Sequence, residues 1–240
     1  MTSRLRSAGL PLSLRAMTTP RPQANPGLDF DHVTDWVFDL DNTLYPPSAR
    51  LFDQIEVKMT DYVMRSLGVD RLEADHLRDH YWKLYGTTLA GLMHEHDVDP
   101  APYLHEVHEI SLDHLQPDPA LRAGIAALPG RKIVYTNGSA PYAERVLEAR
   151  GLSGLFDGIF GVEHAEFHPK PHPQAFDTVF ARAGITPERG AMFEDDTRNL
   201  RHPHAIGMKT VHVAPTPAPE EHIHHHTDDL ARFLANLAKT

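Results

Sequence analysis

The apolar run Trp36, Val37 and Phe38 stops abruptly at the polar stretch Asp39-Leu40-Asp41-Asn42-Thr43. Such a pattern predicts a buried strand from Asp35 that passes into a loop by Thr43. The spacing then changes. Leu51, Phe52, Ile55, Val57, Met59, Tyr62, Val63 and Leu67 recur at helical intervals and end at Gly68, a residue suited to a helix cap. A second helix is predicted to carry Leu77, Tyr81, Trp82 and Leu84 up to Gly86, with shorter ones around Leu89 to Glu95 and Tyr103 to Leu115. Beyond Pro117 strand and helix alternate. Strands are predicted at Lys132 to Tyr135, Phe156 to Phe160, Ala191 to Phe193 and Lys209 to Val213. Helices are predicted at Tyr142 to Arg150, Pro173 to Ala183 and Arg198 to Ile206, with a last one around Leu230 to Leu237. This alternation predicts an α/β fold, a Rossmann-like parallel sheet flanked by helices, whose ligands bind at the carboxyl ends of the strands. The helical block inserted after the first strand then reads as a small all-helical cap domain lying over those ends.

The boundaries expected are 29–45 plus 118–240 for the α/β core and 46–117 for the cap. Residues 1–28 hold Arg4, Arg6, Arg15 and Arg21, four prolines and no acid, and read as a disordered extension or as an over-long start with Met17 the true initiator. A second irregular stretch, Pro215 to Thr227, carries His222, His224, His225 and His226; such a run can bind metal, but it reads as a solvated loop.

Composition narrows the partners. A chain of 240 residues with 41% hydrophobic and 23% charged residues has the make-up of a globular protein with a sizeable core. Its formal net charge of −10 argues against a nucleic acid polymer as partner, because such binding relies on Lys and Arg to neutralise phosphates. With no cysteine there is no disulfide framework, thiol nucleophile or Cys-ligated zinc, and a cytoplasmic location is the expectation. No apolar run has the length a bilayer requires, so no membrane partner is expected.

Chemistry concentrates at the predicted strand ends. Asp39 and Asp41, two residues apart on extended backbone, send their carboxylates the same way. Such a pair suits a nucleophile with a proton-managing partner, and also offers hard oxygens to a small divalent cation. Thr136-Asn137-Gly138-Ser139 follows the second strand and is either a phosphate cradle or a tight turn with a helix cap. Lys170 sits in the proline frame His168-Pro169-Lys170-Pro171-His172-Pro173, which fixes its backbone and suits it to neutralising a phosphoryl oxygen. Glu194-Asp195-Asp196-Thr197 is an acidic cluster that either holds a cation such as Mg2+ or caps the next helix.

The ordered set DLDNT, TNG, KPHP and EDDT resembles the four motifs of haloacid dehalogenase superfamily phosphatases. The resemblance spans about Asp35 to Pro215 and implies a nucleophile at Asp39, which forms an aspartyl-phosphate, and a general acid and base at Asp41. It also implies phosphoryl binding by Thr136, with Asn137 and Gly138 in the same loop, and a bridging Lys170. The implied cofactor is Mg2+, held by Asp39, Asp41 through its backbone carbonyl, Asp196, and Asp195 as a second ligand. Many members carry a further acid three residues past the metal aspartate, where this chain has Asn199. Dehalogenases of the superfamily usually lack the second acid of the first motif, so Asp41 argues for ester hydrolysis. Asn42 to Pro46 together with Tyr81 to Leu92 is similar to the pyrimidine 5'-nucleotidase branch, which implies a pyrimidine mononucleotide, UMP or CMP, as the small phosphorylated substrate. Tyr81, Trp82 and Tyr85 would either face the base or form the cap's own core, with the core preferred for Trp82. A phosphoglycolate or sugar-phosphate phosphatase, a dehalogenase, and a phosphate-binding protein without turnover are the alternatives.

Overall fold

The computed structural model describes residues 29–237; the expected extension, residues 1–28, lies outside them. Among the described residues, β1 (Asp35–Phe38), β2 (Arg131–Tyr135), β3 (Gly158–Phe160), β4 (Gly190–Glu194), β5 (Lys209–Val213) and β6 (His225–Thr227) form one sheet in the order β3-β2-β1-β4-β5-β6. Every pairing is parallel. The fold is therefore the expected α/β one.

Alternation of side chains along the strands divides the interior into two layers. Trp36, Phe38, Phe193 and Val211 face one core, with Phe38 stacked on Phe193 at 4.7 Å between ring centres. Val37, Ile133, Met192 and Tyr135 face the other. The first core is covered by α5 (Pro119–Ala127), α6 (Ala140–Ala149) and α9 (Leu230–Leu237), the second by α7 (Pro173–Ala183).

Between β1 and β2 come α1 (Leu51–Leu67), α2 (Arg71–Tyr85), α3 (Thr88–His96) and α4 (Pro100–Val107). The breaks between them follow from capping. Gly68 closes α1 in the left-handed conformation, the Asp70 side chain accepts the Glu73 amide to start α2, and Gly86 closes α2. Helix α1 packs on α2 and α4, and α2 on α3. Gly91 makes that last contact possible, since a Cβ there would lie 2.2 Å from the Tyr81 ring. Tyr81 is thus core, but Trp82 is 45% exposed, which corrects the expectation of a buried Trp82.

Other departures have local causes. Helix α4 stops at Val107, and Ile110 and Leu115 are buried from irregular backbone instead of from a continued helix. Helix α5 was not expected, although Asp118 caps it and Pro119 occupies its first turn. The segment from Arg198 to Ile206 is a 3-10 turn, Thr197–Leu200, followed by the short α8 (Arg201–Ala205). The His-rich stretch is not a solvated loop: β6 pairs with the edge of β5, and its imidazoles hold fixed partners. His225 Nε2 lies 2.6 Å from Asp29, and His226 Nε2 lies 2.8 Å from the Ala214 carbonyl. No helix among the described residues is long and apolar enough to cross a membrane.

Candidate active site

Register places the chemistry. Phe38 at the end of β1 is opposite Val134 of β2 and Phe193 of β4, so the residues that follow these central strands emerge side by side. They do so where the chain order reverses about β1, the place where α/β sheets bind ligands.

Lys170 is the hub. Its side chain is 1% exposed, and Nζ donates to Asp39 Oδ1 at 2.7 Å, to Glu194 Oε2 at 2.7 Å and to the Tyr135 carbonyl at 3.1 Å. Burial would lower the ammonium's pKa, but Asp39 and Glu194 outweigh it and hold the proton on. Asn137, expected to bind substrate, clamps this lysine: its side-chain amide donates to the Lys170 carbonyl at 3.0 Å and its oxygen accepts the Lys170 amide at 2.8 Å.

The carboxylates outnumber that cation. Asp39, Glu194 and Asp195 each present an oxygen within 4.8 Å of the others, and Asp39 Oδ2 is buried with no hydrogen-bond partner. Burial and then Glu194 push the Asp39 carboxyl well above the usual range, against the pull of Lys170. Burial likewise pushes Glu194 and Asp195 up to about 7. A divalent cation would relieve this crowding and give the orphaned oxygen a partner, so a hard-oxygen ion such as Mg2+ fits these residues.

Glu194 was not among the expected site residues; its position as the last residue of β4, within the acidic cluster, was the available signal. Asp196, expected as the metal ligand, lies outside the group. Its carboxylate caps the 3-10 turn and pairs with Arg198 at 2.6 Å, which holds it below the ordinary range although burial opposes this. Asp195, with Glu194, brings an oxygen near Asp39, and its Oδ2 accepts from Asn42 at 3.2 Å. The Asp41 side chain is also outside the group. Oδ1 accepts from Tyr45 at 2.7 Å and Tyr142 at 2.9 Å, and Oδ2 accepts from Thr136 at 3.2 Å. Burial and Asp41 raise both phenols, so they remain donors. Thr136 Oγ1 accepts in turn from the Gly138 amide at 2.9 Å, and a Cβ on Gly138 would stand 3.1 Å from the Tyr142 ring.

Above these groups is a cavity of about 580 Å³. Asp39, Asp41, Asn137, Gly138, Lys170 and Asp195 line its floor, and α1, α2 and α4 supply Phe52, Ile55, Met59, Arg78, Trp82 and Leu104. The Arg198 guanidinium lies 3.9 Å over the Trp82 ring and joins floor to helices. Tyr81 and Tyr85, expected as a possible base platform, instead meet His96 and Glu95.

Residues 37–206 match the haloacid dehalogenase-like hydrolase family. The chain is 30% identical over 187 residues to phosphate metabolism protein 8 of Saccharomyces cerevisiae, covering 71% of this chain and 58% of that protein. It is 33% identical over 98 residues to the probable phosphatase IndB of Dickeya dadantii, covering 40% of this chain and 42% of that one. The chain therefore spans less than two thirds of these relatives. In fold it is similar to a HAD phosphatase from Thermococcus onnurineus, with a TM-score of 0.54 at 18% identity over 85% of this chain and 98% of that one. A 2-haloacid dehalogenase from Pseudomonas syringae gives 0.55 at 18% identity over 86% and 99%.

Proposed function

Starting from the fact that this chain belongs to the haloacid dehalogenase-like hydrolases, we propose that it hydrolyses small phosphomonoesters through an aspartyl-phosphate on Asp39, with Mg2+ as cofactor. One observation carries the reading: the unpartnered, buried Asp39 Oδ2 lies on the floor of the cavity beside a pinned Lys170. That oxygen attacks phosphorus, a bond forms from Asp39 to the phosphoryl group, and the ester P–O bond breaks. Lys170 holds the other Asp39 oxygen in place. Asp41, gripped by Tyr45, Tyr142 and Thr136, gives a proton to the departing alkoxide and later takes one from the water that cleaves the intermediate. Thr136, Asn137 and Gly138 form the loop that faces the phosphoryl oxygens. Asp39 and Asp195, with Glu194 behind them, would hold the cation, which supplies positive charge to the phosphoryl group when bound.

For the substrate we favour a pyrimidine 5'-nucleotide, UMP or CMP, on the residues shared with that branch. Its base would lie among the apolar residues of the lid. Purified protein with Mg2+ is expected to release phosphate from UMP or CMP faster than from phosphoglycolate or sugar phosphates. Equal rates across that panel would reject the nucleotidase assignment.

A further inference from the structure

Each cation that lines the cavity among the described residues already has a carboxylate partner, although Arg78 Nε is buried without a hydrogen-bond partner. Lys170 is shared between Asp39 and Glu194. Arg198 is paired with Asp196 and covered by Trp82. On the lid side, Arg78 is the lining cation, and its guanidinium lies 3.2 Å from Glu56 and 3.3 Å from Asp75 while Nη1 also donates to Thr60 at 2.8 Å. Asp79, also in the lining, adds a carboxylate that pairs outward with Lys83 at 2.6 Å. His108 is the remaining basic side chain in the lining, and burial keeps its pKa below the ordinary value despite Asp41.

We infer that the lid selects phosphomonoesters whose alcohol part carries no second anionic group. The inference rests on the phosphatase reading and narrows it. The phosphoryl group binds at the floor, so the rest of the substrate extends toward α1 and α2. An uncharged alcohol meets apolar surface from Ile55, Met59 and Leu104, together with polar side chains at Arg78 and its carboxylates. A carboxylate or second phosphate in the same place would leave water to stand beside Glu56 and Asp75, two carboxylates that outnumber the Arg78 guanidinium they share. Nucleosides and other hydroxyl-bearing neutral alcohols satisfy the lid; phosphoglycolate and bisphosphates do not.

The test uses pairs of esters matched in size: hydroxyethyl phosphate against phosphoglycolate, and glycerol phosphate against phosphoglycerate, each with Mg2+. In each pair kcat/KM is expected to be at least about tenfold lower for the acid-bearing ester. Glu56→Gln, and separately Asp75→Asn, is expected to free part of the Arg78 charge and narrow that ratio by about threefold or more, chiefly through KM of the acid-bearing ester. Wild-type protein that turns over the acid-bearing ester as well as its neutral partner would overturn the inference and leave the phosphatase reading standing. No phosphate release from any of the four esters or from UMP would overturn both.

Discussion

Replacing Lys170 with Met removes the single ammonium between two buried carboxylates while keeping the length of the side chain. Asp39 and Glu194 each lie 2.7 Å from Nζ, and both are at most 6% exposed. Removing one partner of a buried ion pair costs about 3 to 5 kcal/mol, because the charge left behind has neither water nor a counter-ion. In a domain of this size that lowers Tm by about 6 to 20 °C. The sign of the pH dependence follows from the direction of the shifts. Burial pushes Glu194 up to about 7 in the folded chain against an ordinary value of 4.5, so the folded state binds more protons between these values; stability is fully present below about 4.5, falls as pH rises from there, and the loss is complete above about 7. Without Lys170 both carboxyls rise further. Thermal unfolding of wild type and Lys170→Met, followed in a chelator from pH 5 to pH 8.5, as a rough span around that titration, is therefore expected to show a gap that widens as pH increases. Adding Glu194→Gln to the variant is expected to recover about half or more of the lost stability and none of the activity. A variant as stable as wild type at high pH, or a gap independent of pH and untouched by Glu194→Gln, would refute the reasoning.

Two further outcomes are expected. Tyr45→Phe and Tyr142→Phe each remove a hydroxyl that donates to Asp41, and each is expected to slow hydrolysis of alkyl phosphates by about tenfold, given a cost of about 1.5 to 3 kcal/mol for a hydrogen bond to a charged group. Hydrolysis of p-nitrophenyl phosphate, whose leaving group needs no proton, is expected to change much less; equal losses on both esters would count against a proton-managing Asp41. His224 is held below its ordinary value of 6.5 by burial and then by Lys209, so the unfolded chain binds more protons as pH falls below that value. Stability is accordingly expected to decline below about 6.5, and His224→Gln to flatten that limb in denaturant titrations; an unchanged slope would contradict it.

The sheet was legible because its central strands are buried on both faces, so Trp36 to Phe38, Ile133 to Tyr135 and Ala191 to Phe193 are continuous apolar runs that end at polar turns. β6 was not, since His225 and His226 carry neither β-branching nor an apolar pattern; pairing with the β5 edge and contacts to Asp29 and Ala214 make it a strand. In the candidate site, the strand-end position of Asp39 and the proline frame of Lys170 were legible, and the structure brings the two side chains together at 2.7 Å. Which of three consecutive acids faces Asp39 could not be read from spacing. Glu194 and Asp195 both bring an oxygen near Asp39, while Arg198, two residues on, draws Asp196 away. Trp82 was misplaced for a related reason: its helical spacing matches the α2 core positions, but its partner is a guanidinium from the floor of the cavity.

The most direct measurement is an acid quench of the protein during turnover of a phosphomonoester with Mg2+, followed by proteolysis and mass spectrometry of the peptides. The expected result is a hydroxylamine-labile phosphoryl group on the peptide that contains Asp39, absent from Asp39→Asn, which also releases no phosphate. A phosphoryl group on another residue, or phosphate release by Asp39→Asn at the wild-type rate, would contradict the mechanism.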